Sequence, residues 1–201
     1  ILDKMIQRLT TSQKVSIQKI FDEFDITMTV SELLQYWNAS HRVYHNESHL
    51  ADLVRLIGER HNTFGVELHD ASLFVKQLFI VACFHDVYYN ATSSKNELLS
   101  ANFFKAVCDY RDNKFIKNIA HAIWTTKHHV GDDELSIAFN ALDNDIVTRK
   151  FDELLEWEKG IRSEYSMFSD AAYKQGRLFF LKSVPKTSDI DKLIQYVNVT
   201  Y

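Results

Sequence analysis

The residue types best suited to bind a metal ion occur in three separate segments of the chain. These are His45, the adjacent pair His85 and Asp86, and the nearby aspartates Asp143 and Asp145. The pair follows the most apolar stretch of the sequence, where a charged group is costly unless it is paired or bound to a metal. We therefore expect His85 and Asp86 to have a partner, and the other two segments supply candidates.

Blocks of residues around these segments occur in a fixed order along the chain. They are Arg42-x-Tyr44-His45-Asn46-x-x-His49-Leu50, Ala82-x-Phe84-His85-Asp86-x-x-Tyr89, Asn96-Glu97-x-x-Ser100-Ala101, Thr126-x-x-His129, Leu142-Asp143-x-Asp145-Ile146 and Ile161-Arg162-x-Glu164-Tyr165. In this order the blocks resemble the HD superfamily, and specifically its group of metal-dependent phosphohydrolases of about this length. The resemblance covers roughly residues 36–182.

The resemblance implies that His45, His85, Asp86 and one later aspartate bind a divalent metal ion, with Asp145 as the first choice. Two imidazoles and two carboxylates suit one Mn, Fe, Co, Ni or Mg ion, and zinc is also compatible with this donor set. Asp143 lies two residues before Asp145, about 200° around a regular helix. Only one of the two is therefore expected to face the metal, while the other lies behind the ligands or caps the helix.

The resemblance further implies hydrolysis of a phosphoester of a nucleotide or a similar small phosphorylated molecule, by a water that the metal activates. Glu97 is the candidate for proton transfer, beside the catalytic role that Asp86 takes as a ligand. The alternative for Glu97 is a capping box with Ser94. The candidate substrate contacts are basic, aromatic or imidazole side chains near the ligand segments: Arg42, Tyr44, His49, Lys127 and His129.

Several alternatives stay open. The Thr-x-x-His block can be aligned one residue earlier, so that His128 rather than His129 faces the site, and His49 can equally form a hydrogen bond behind a ligand. A catalytically silent module that binds metal and nucleotide has the same sequence features, as has a helical interaction protein with vestigial ligands. A di-iron HD oxygenase would use extra histidines such as His121 and His128.

Composition indicates which elements must hold these residues. Five glycines and one proline among 201 residues amount to about a quarter of average usage. Strand-rich folds need more turn residues than this, so we predict an all-α protein, a compact helical bundle in a single domain over residues 1–201. The spread of the glycines also excludes dinucleotide-binding loops, P-loops and nucleophile elbows.

Apolar residues recur at helical spacing along most of the chain. The periodicity and the flanking polar residues predict these helices: one around 17–24, one around 33–37 after Thr29 or Ser31, one around 50–57 after Asn46, and then 67–84, 94–109, 113–128, 132–145, 151–167, 170–181 and 187–199.

Charge and hydropathy narrow the partners. A net charge of -4 and a pI near 6.1, without a basic run, argue against polymeric nucleic acid. No apolar stretch is long enough for a bilayer and nothing at Ile1 resembles a secretory signal, so we expect no membrane and a cytoplasmic location. Cys83 and Cys108 are expected to be reduced core thiols. The expected partner is a small phosphorylated substrate, and a homodimer is an open alternative.

Overall fold

The computed structural model describes residues 7–63 and 67–201. Over these residues the protein is all-α, as its composition predicts. It contains two short 3₁₀ helices, an isolated β-bridge between Ile26 and Cys108, and the α-helices α1 Thr11–Glu23, α2 Val30–Trp37, α3 Glu47–Arg60, α4 Leu73–Phe84, α5 Asn96–Val107, α6 Asn113–Thr125, α7 Glu134–Asp143, α8 Phe151–Glu164, α9 Asp170–Ser183 and α10 Ser188–Thr200. Residues 1–6, on which the expectation about a secretory signal rests, lie outside the described residues.

The chain divides into two compact units, Ile1–Asp143 and Asn144–Tyr201. The first contains α1 to α7 and the second contains α8 to α10. The sequence predicts a single domain because no linker or shift in composition marks a boundary. The division falls where α7 ends and a 3₁₀ helix, Asn144–Thr148, begins.

Helix α4 is the centre of the first unit. It packs against α1, α3, α5, α6 and α7, and every side chain from Leu78 to Phe84 is at most 1% exposed. The indole Nε1 of Trp37 donates a hydrogen bond to the Cys83 carbonyl oxygen, 2.9 Å away. This bond holds the last turn of α4 within the core, directly before His85.

The two cysteines are free and buried, as the sequence predicts. Burial raises the pKa of both the Cys83 and the Cys108 thiols. Both side chains are therefore protonated core groups at neutral pH.

Most predicted helices are present, and the largest differences lie at their starts. Thr29 and Asn46 cap α2 and α3, as predicted. Helix α4 begins at Leu73 instead of Glu67, because the Ser72 hydroxyl accepts the Val75 N–H and caps the helix there.

The capping box predicted for Ser94 and Glu97 is wrong. Helix α5 has Lys95 at its N-cap position, and no side chain caps it. The Lys95 N–H instead donates to the Ser93 hydroxyl oxygen, in the turn that leads into the helix. Glu97 is thus placed in the first turn of α5 without the role of a capping residue.

The second unit is held by a buried polar cluster that the sequence did not reveal. Glu158 of α8 is fully buried and accepts hydrogen bonds from two residues of α9, Tyr173 at 2.7 Å and Arg177 at 2.5 Å. The Arg177 guanidinium also lies 4.0 Å from the ring centroid of Trp157. The charge of Glu158 is therefore compensated within the core, as a buried carboxylate requires.

Two glycines, one in each unit, test how closely the chain is packed around them. A Cβ at Gly131 would collide with the backbone of Ser136 and Ile137, whereas a Cβ at Gly176, inside α9, would meet no atom within 4 Å. We expect Gly131→Ala to lower the free energy of unfolding by about 1–3 kcal/mol through overpacking. Gly176→Ala should raise it by about 0.5–1 kcal/mol, because alanine restricts the unfolded chain and favours the helix. Urea unfolding monitored by circular dichroism measures both, and an unchanged Gly131→Ala variant would contradict the packing described.

Candidate metal centre

The site is built where the central helix ends. His85 follows α4 directly and is 1% exposed. Its Nδ1 lies 3.0 Å from the Ala82 carbonyl oxygen. Because a carbonyl can only accept, Nδ1 carries a proton, and Nε2 is the ring atom left for a ligand.

Three other residues surround this Nε2. It lies 3.3 Å from Asp86 Oδ2 and 3.5 Å from Asp143 Oδ1, and the same Asp143 oxygen is 3.1 Å from His49 Nε2. Ligand atoms of His49, His85 and Asp86 all lie within 4.8 Å of one another. Helix α3 supplies His49 in its first turn and α7 supplies Asp143 as its last residue.

This arrangement fits a divalent metal ion. His85 Nε2 is buried and makes no hydrogen bond within the described residues, although two carboxylates lie beside it. A buried polar atom normally has a hydrogen-bond partner or a metal. Two imidazoles and two carboxylates, all from the side chains of one unit, form the mixed nitrogen and oxygen set that such an ion accepts.

Without metal, the cluster is held by charge. Burial by itself lowers the pKa of His85, but the negative charges of Asp86 and Asp143 outweigh burial and raise this pKa to about 10. Burial opposes ionisation of both carboxylates, yet the His85 charge holds the pKa of Asp86 and of Asp143 well below the usual range. The positive charge of the protonated His85 imidazole therefore balances the negative charge of the two carboxylates.

The structure brings His49 to this cluster, whereas the sequence favours His45. His45 precedes the N-cap of α3, and its ring stacks on Tyr89 with centroids 4.1 Å apart. His49 is one helical turn further along, and its ring lies 6.0 Å from that of His45. The charge of His45 also helps to lower the pKa of Asp86, so His45 lies beside the cluster as well.

A similar choice concerns the two aspartates. Asp143 is in the cluster, whereas Asp145, the residue that the sequence favours, belongs to the second unit. There Asp145 Oδ2 accepts a hydrogen bond from Arg149 Nε at 3.1 Å. The side chains that the first unit brings together as a candidate donor set are therefore His49, His85, Asp86 and Asp143.

Arg42 connects the two ligand-bearing segments. Its guanidinium donates hydrogen bonds to the carbonyl oxygens of His45, Asp86 and Val87, at 2.7–3.0 Å. The side chain is buried and lies over the ring of Trp37. The sequence suggests Arg42 as a phosphate contact, but its observed contacts make it the residue that positions the His85-Asp86 turn.

Helix α5 holds the loop that follows this turn. The Asn96 side chain accepts the Asn90 N–H and donates to the Asn90 carbonyl oxygen, and the Ser100 hydroxyl makes the same two bonds with Tyr88. Asn96 and Ser100 are buried and one helical turn apart. Their four-residue spacing, in the block that follows the His85-Asp86 block, was the signal available in the sequence.

His129 is the histidine of its block that faces the site. Its Nδ1 lies 3.4 Å from Asp143 Oδ2, with about a third of the side chain exposed. A backbone φ of 50° at His129 reverses the chain there, between α6 and α7. His128 is exposed at the surface. The alignment through Thr126 is therefore the one that agrees with the structure.

Three further candidates differ in their surroundings. The Tyr44 ring is 5.1 Å from the His49 ring. Lys127 Nζ donates to the Ser94 carbonyl oxygen at 3.0 Å. Among the described contacts none links Glu97 to the cluster.

The extra histidines of the di-iron alternative lie elsewhere in the first unit. His121 is paired with Asp132 at 2.6 Å, and His128 is exposed. Within the described part of the unit, neither contacts the donor set.

Comparisons with known proteins identify no relative of this chain. No family model, curated protein or solved structure matches the chain. Among the described residues, no helix has the length and apolar character needed to span a bilayer.

Matched substitutions test which residues are ligands. Asp143→Asn and His49→Ala should weaken Mn²⁺ or Ni²⁺ binding at least about tenfold, because each removes a donor. We expect Asp145→Asn and His45→Ala, at the residues that the sequence favours, to weaken binding less than the substitution with which each is matched. Isothermal titration calorimetry measures the affinities, and circular dichroism controls for folding. The opposite ranking within either pair would overturn this donor set.

The raised pKa of His85 predicts proton release when metal binds. Near pH 8 most histidines of ordinary pKa are neutral, but His85, with a pKa of about 10, is protonated in the metal-free protein. Because the ligand must be neutral, binding should release about one proton, and affinity should rise as pH rises. Titrations at pH 8 in buffers of different ionisation enthalpy measure this release. Heats that do not depend on the buffer would contradict it.

Proposed function

We propose that the protein is a metal-dependent phosphohydrolase of the HD type. It would cleave a phosphoester of a nucleotide or of a similar small phosphorylated molecule. The observation that carries this proposal is the buried set of His49, His85, Asp86 and Asp143 around the unsatisfied Nε2 of His85. The order of the sequence blocks, from which the HD resemblance comes, supports it.

The donor set suits hydrolysis of an ester more than a structural role. A bound divalent ion would supply a water with its pKa lowered toward ~7 and a positive charge for the phosphoryl oxygens. Structural zinc sites are typically closed by four side chains rich in thiolates. Here both cysteines are buried core thiols, and the four side chains are imidazoles and carboxylates.

Two partly exposed imidazoles beside the donor set are the candidates for contact with the substrate. His129 is partly exposed and contacts the Asp143 carboxylate. His45 is also partly exposed, and its ring stacks on that of Tyr89. A partly exposed imidazole can donate a hydrogen bond to a phosphoryl oxygen or a proton to the leaving oxygen. The described contacts therefore favour these histidines over Glu97 for proton transfer.

The chain also positions the site without a phosphate-binding loop. Arg42 holds the His85-Asp86 turn, and α5 holds the loop after it through Asn96 and Ser100. The half-buried rings of Tyr44 and Tyr89 lie beside the histidines and add apolar surface that a nucleobase or sugar can contact. This supports a nucleotide-like substrate.

A phosphatase screen tests the proposal. Purified protein is assayed with Mn²⁺, Fe²⁺, Co²⁺, Ni²⁺, Mg²⁺ or Zn²⁺ against nucleoside mono-, di- and triphosphates. We expect metal-dependent release of phosphate that Asp86→Ala abolishes while circular dichroism stays helical. Turnover retained in Asp86→Ala would overturn the assignment, and nucleotide binding without turnover in any metal would favour the catalytically silent module.

Adjacent histidines give an internal control. His129→Ala should lower kcat/KM by about 10²-fold or more, the contribution of a proton-transferring side chain. His128→Ala should change it less than about twofold, because His128 is exposed and outside the cluster. Equal effects of the two substitutions would contradict the place given to His129.

A further inference from the structure

A second group of potential ligands lies on the surface of the first unit, at the connection between α6 and α7. His121 Nε2 of α6 is 2.6 Å from Asp132 Oδ1, and Asp133 lies next to Asp132. One ligand atom from each residue can be chosen so that all three lie within 4.8 Å of one another. Two ligands of one transition-metal ion are at most about 4.2 Å apart, so small side-chain rotations suffice.

The two aspartates are held in place by the start of α7. The N–H groups of Asp132 and Asp133 both donate to the Ser136 hydroxyl oxygen at 3.1 Å. Asp133 Oδ1 in turn accepts the Ser136 N–H at 2.7 Å, and Ser136 is fully buried. The backbone that carries both carboxylates is therefore fixed before any ion binds, which lowers the entropy cost of binding.

The charges of the group also favour a cation. The hydrogen bond from His121 lowers the pKa of Asp132. Two carboxylates face one imidazole, so negative charge remains even when His121 is protonated. The Asp132 side chain is 73% exposed and that of His121 35% exposed. An ion there would keep several water ligands.

We propose that His121, Asp132 and Asp133 form a second site for a divalent transition-metal ion, which ties α6 to the start of α7. One imidazole and two carboxylates suit Ni²⁺, Co²⁺ or Zn²⁺. The connection that this ion would span carries His129, which contacts Asp143 of the first cluster. The site stands on its own residues and does not depend on the phosphohydrolase proposal.

Each cluster has a tryptophan beside it, which makes the two separable. The Trp124 ring is 6.1 Å from the His121 ring and 46% exposed, whereas Trp37 is fully buried and 5.5 Å from His85. Ni²⁺ quenches the fluorescence of a nearby indole. The difference between titrations of the wild-type chain and of Trp124→Phe therefore isolates the surface site.

The test is a Ni²⁺ titration of the full chain and its variants. We expect quenching of Trp124 whose midpoint His121→Ala raises at least about tenfold and Asp132→Asn shifts in the same direction, as for the loss of a ligand. His128→Ala, an exposed histidine of the same connection, should leave the midpoint within about twofold. Zn²⁺, which does not quench, should compete.

Several results would overturn the proposal. These are the absence of Trp124 quenching, equal midpoints for His121→Ala and His128→Ala, or no competition by Zn²⁺. Circular dichroism of His121→Ala and Asp132→Asn controls for folding, and both residues lie at the surface. Loss of the first cluster by Asp143→Asn should leave the Trp124 midpoint unchanged, and a loss of both together would contradict separate sites.

Discussion

The first unit depends on the burial of one imidazole at the end of its most apolar helix. His85 is enclosed because α4 runs through the centre of the core, and it cannot be charged there without compensation. Asp86 and Asp143 supply that compensation when His85 is protonated. When His85 is neutral, the same two carboxylates, together with His49 and His85, form a group of side chains that can bind a cation.

Several neighbouring side chains hold these groups in position. Trp37 binds the last turn of α4, Arg42 binds the carbonyl oxygens on both sides of the site, and Asn96 and Ser100 bind the loop that follows. All four side chains bond backbone atoms. Backbone polar groups of this irregular, partly exposed segment are thereby paired, and the candidate ligands at its start are held in place.

The residues that the sequence identifies are those whose type differs from that of their neighbours or is typical of a helix cap. His85-Asp86 stands out because a polar pair ends an apolar run, and Thr29 and Asn46 stand out because their side chains cap helices. Arg42 was assigned to phosphate because it is cationic, whereas its contacts are carbonyl oxygens in the interior. The Glu158 cluster of the second unit was not found, because a single glutamate, arginine and tyrosine on two helices have no distinctive spacing.

By itself, the sequence determined the all-α class and the order of the helices, since composition, periodicity and capping act within a few residues of the chain, and it singled out the His85-Asp86 pair. Only the tertiary structure placed His49, Asp143 and His129 in the cluster around His85, from the three pairs His45 and His49, Asp143 and Asp145, and His128 and His129. Each pair is separated by four residues or fewer, so the pattern along the chain suits both members. The choice depends on where α3 begins, where α7 ends and how the chain turns at His129. The Asn46 cap sets the start of α3 locally, but which side chains meet at His85 depends on how α3 and α7 pack against α4 and each other.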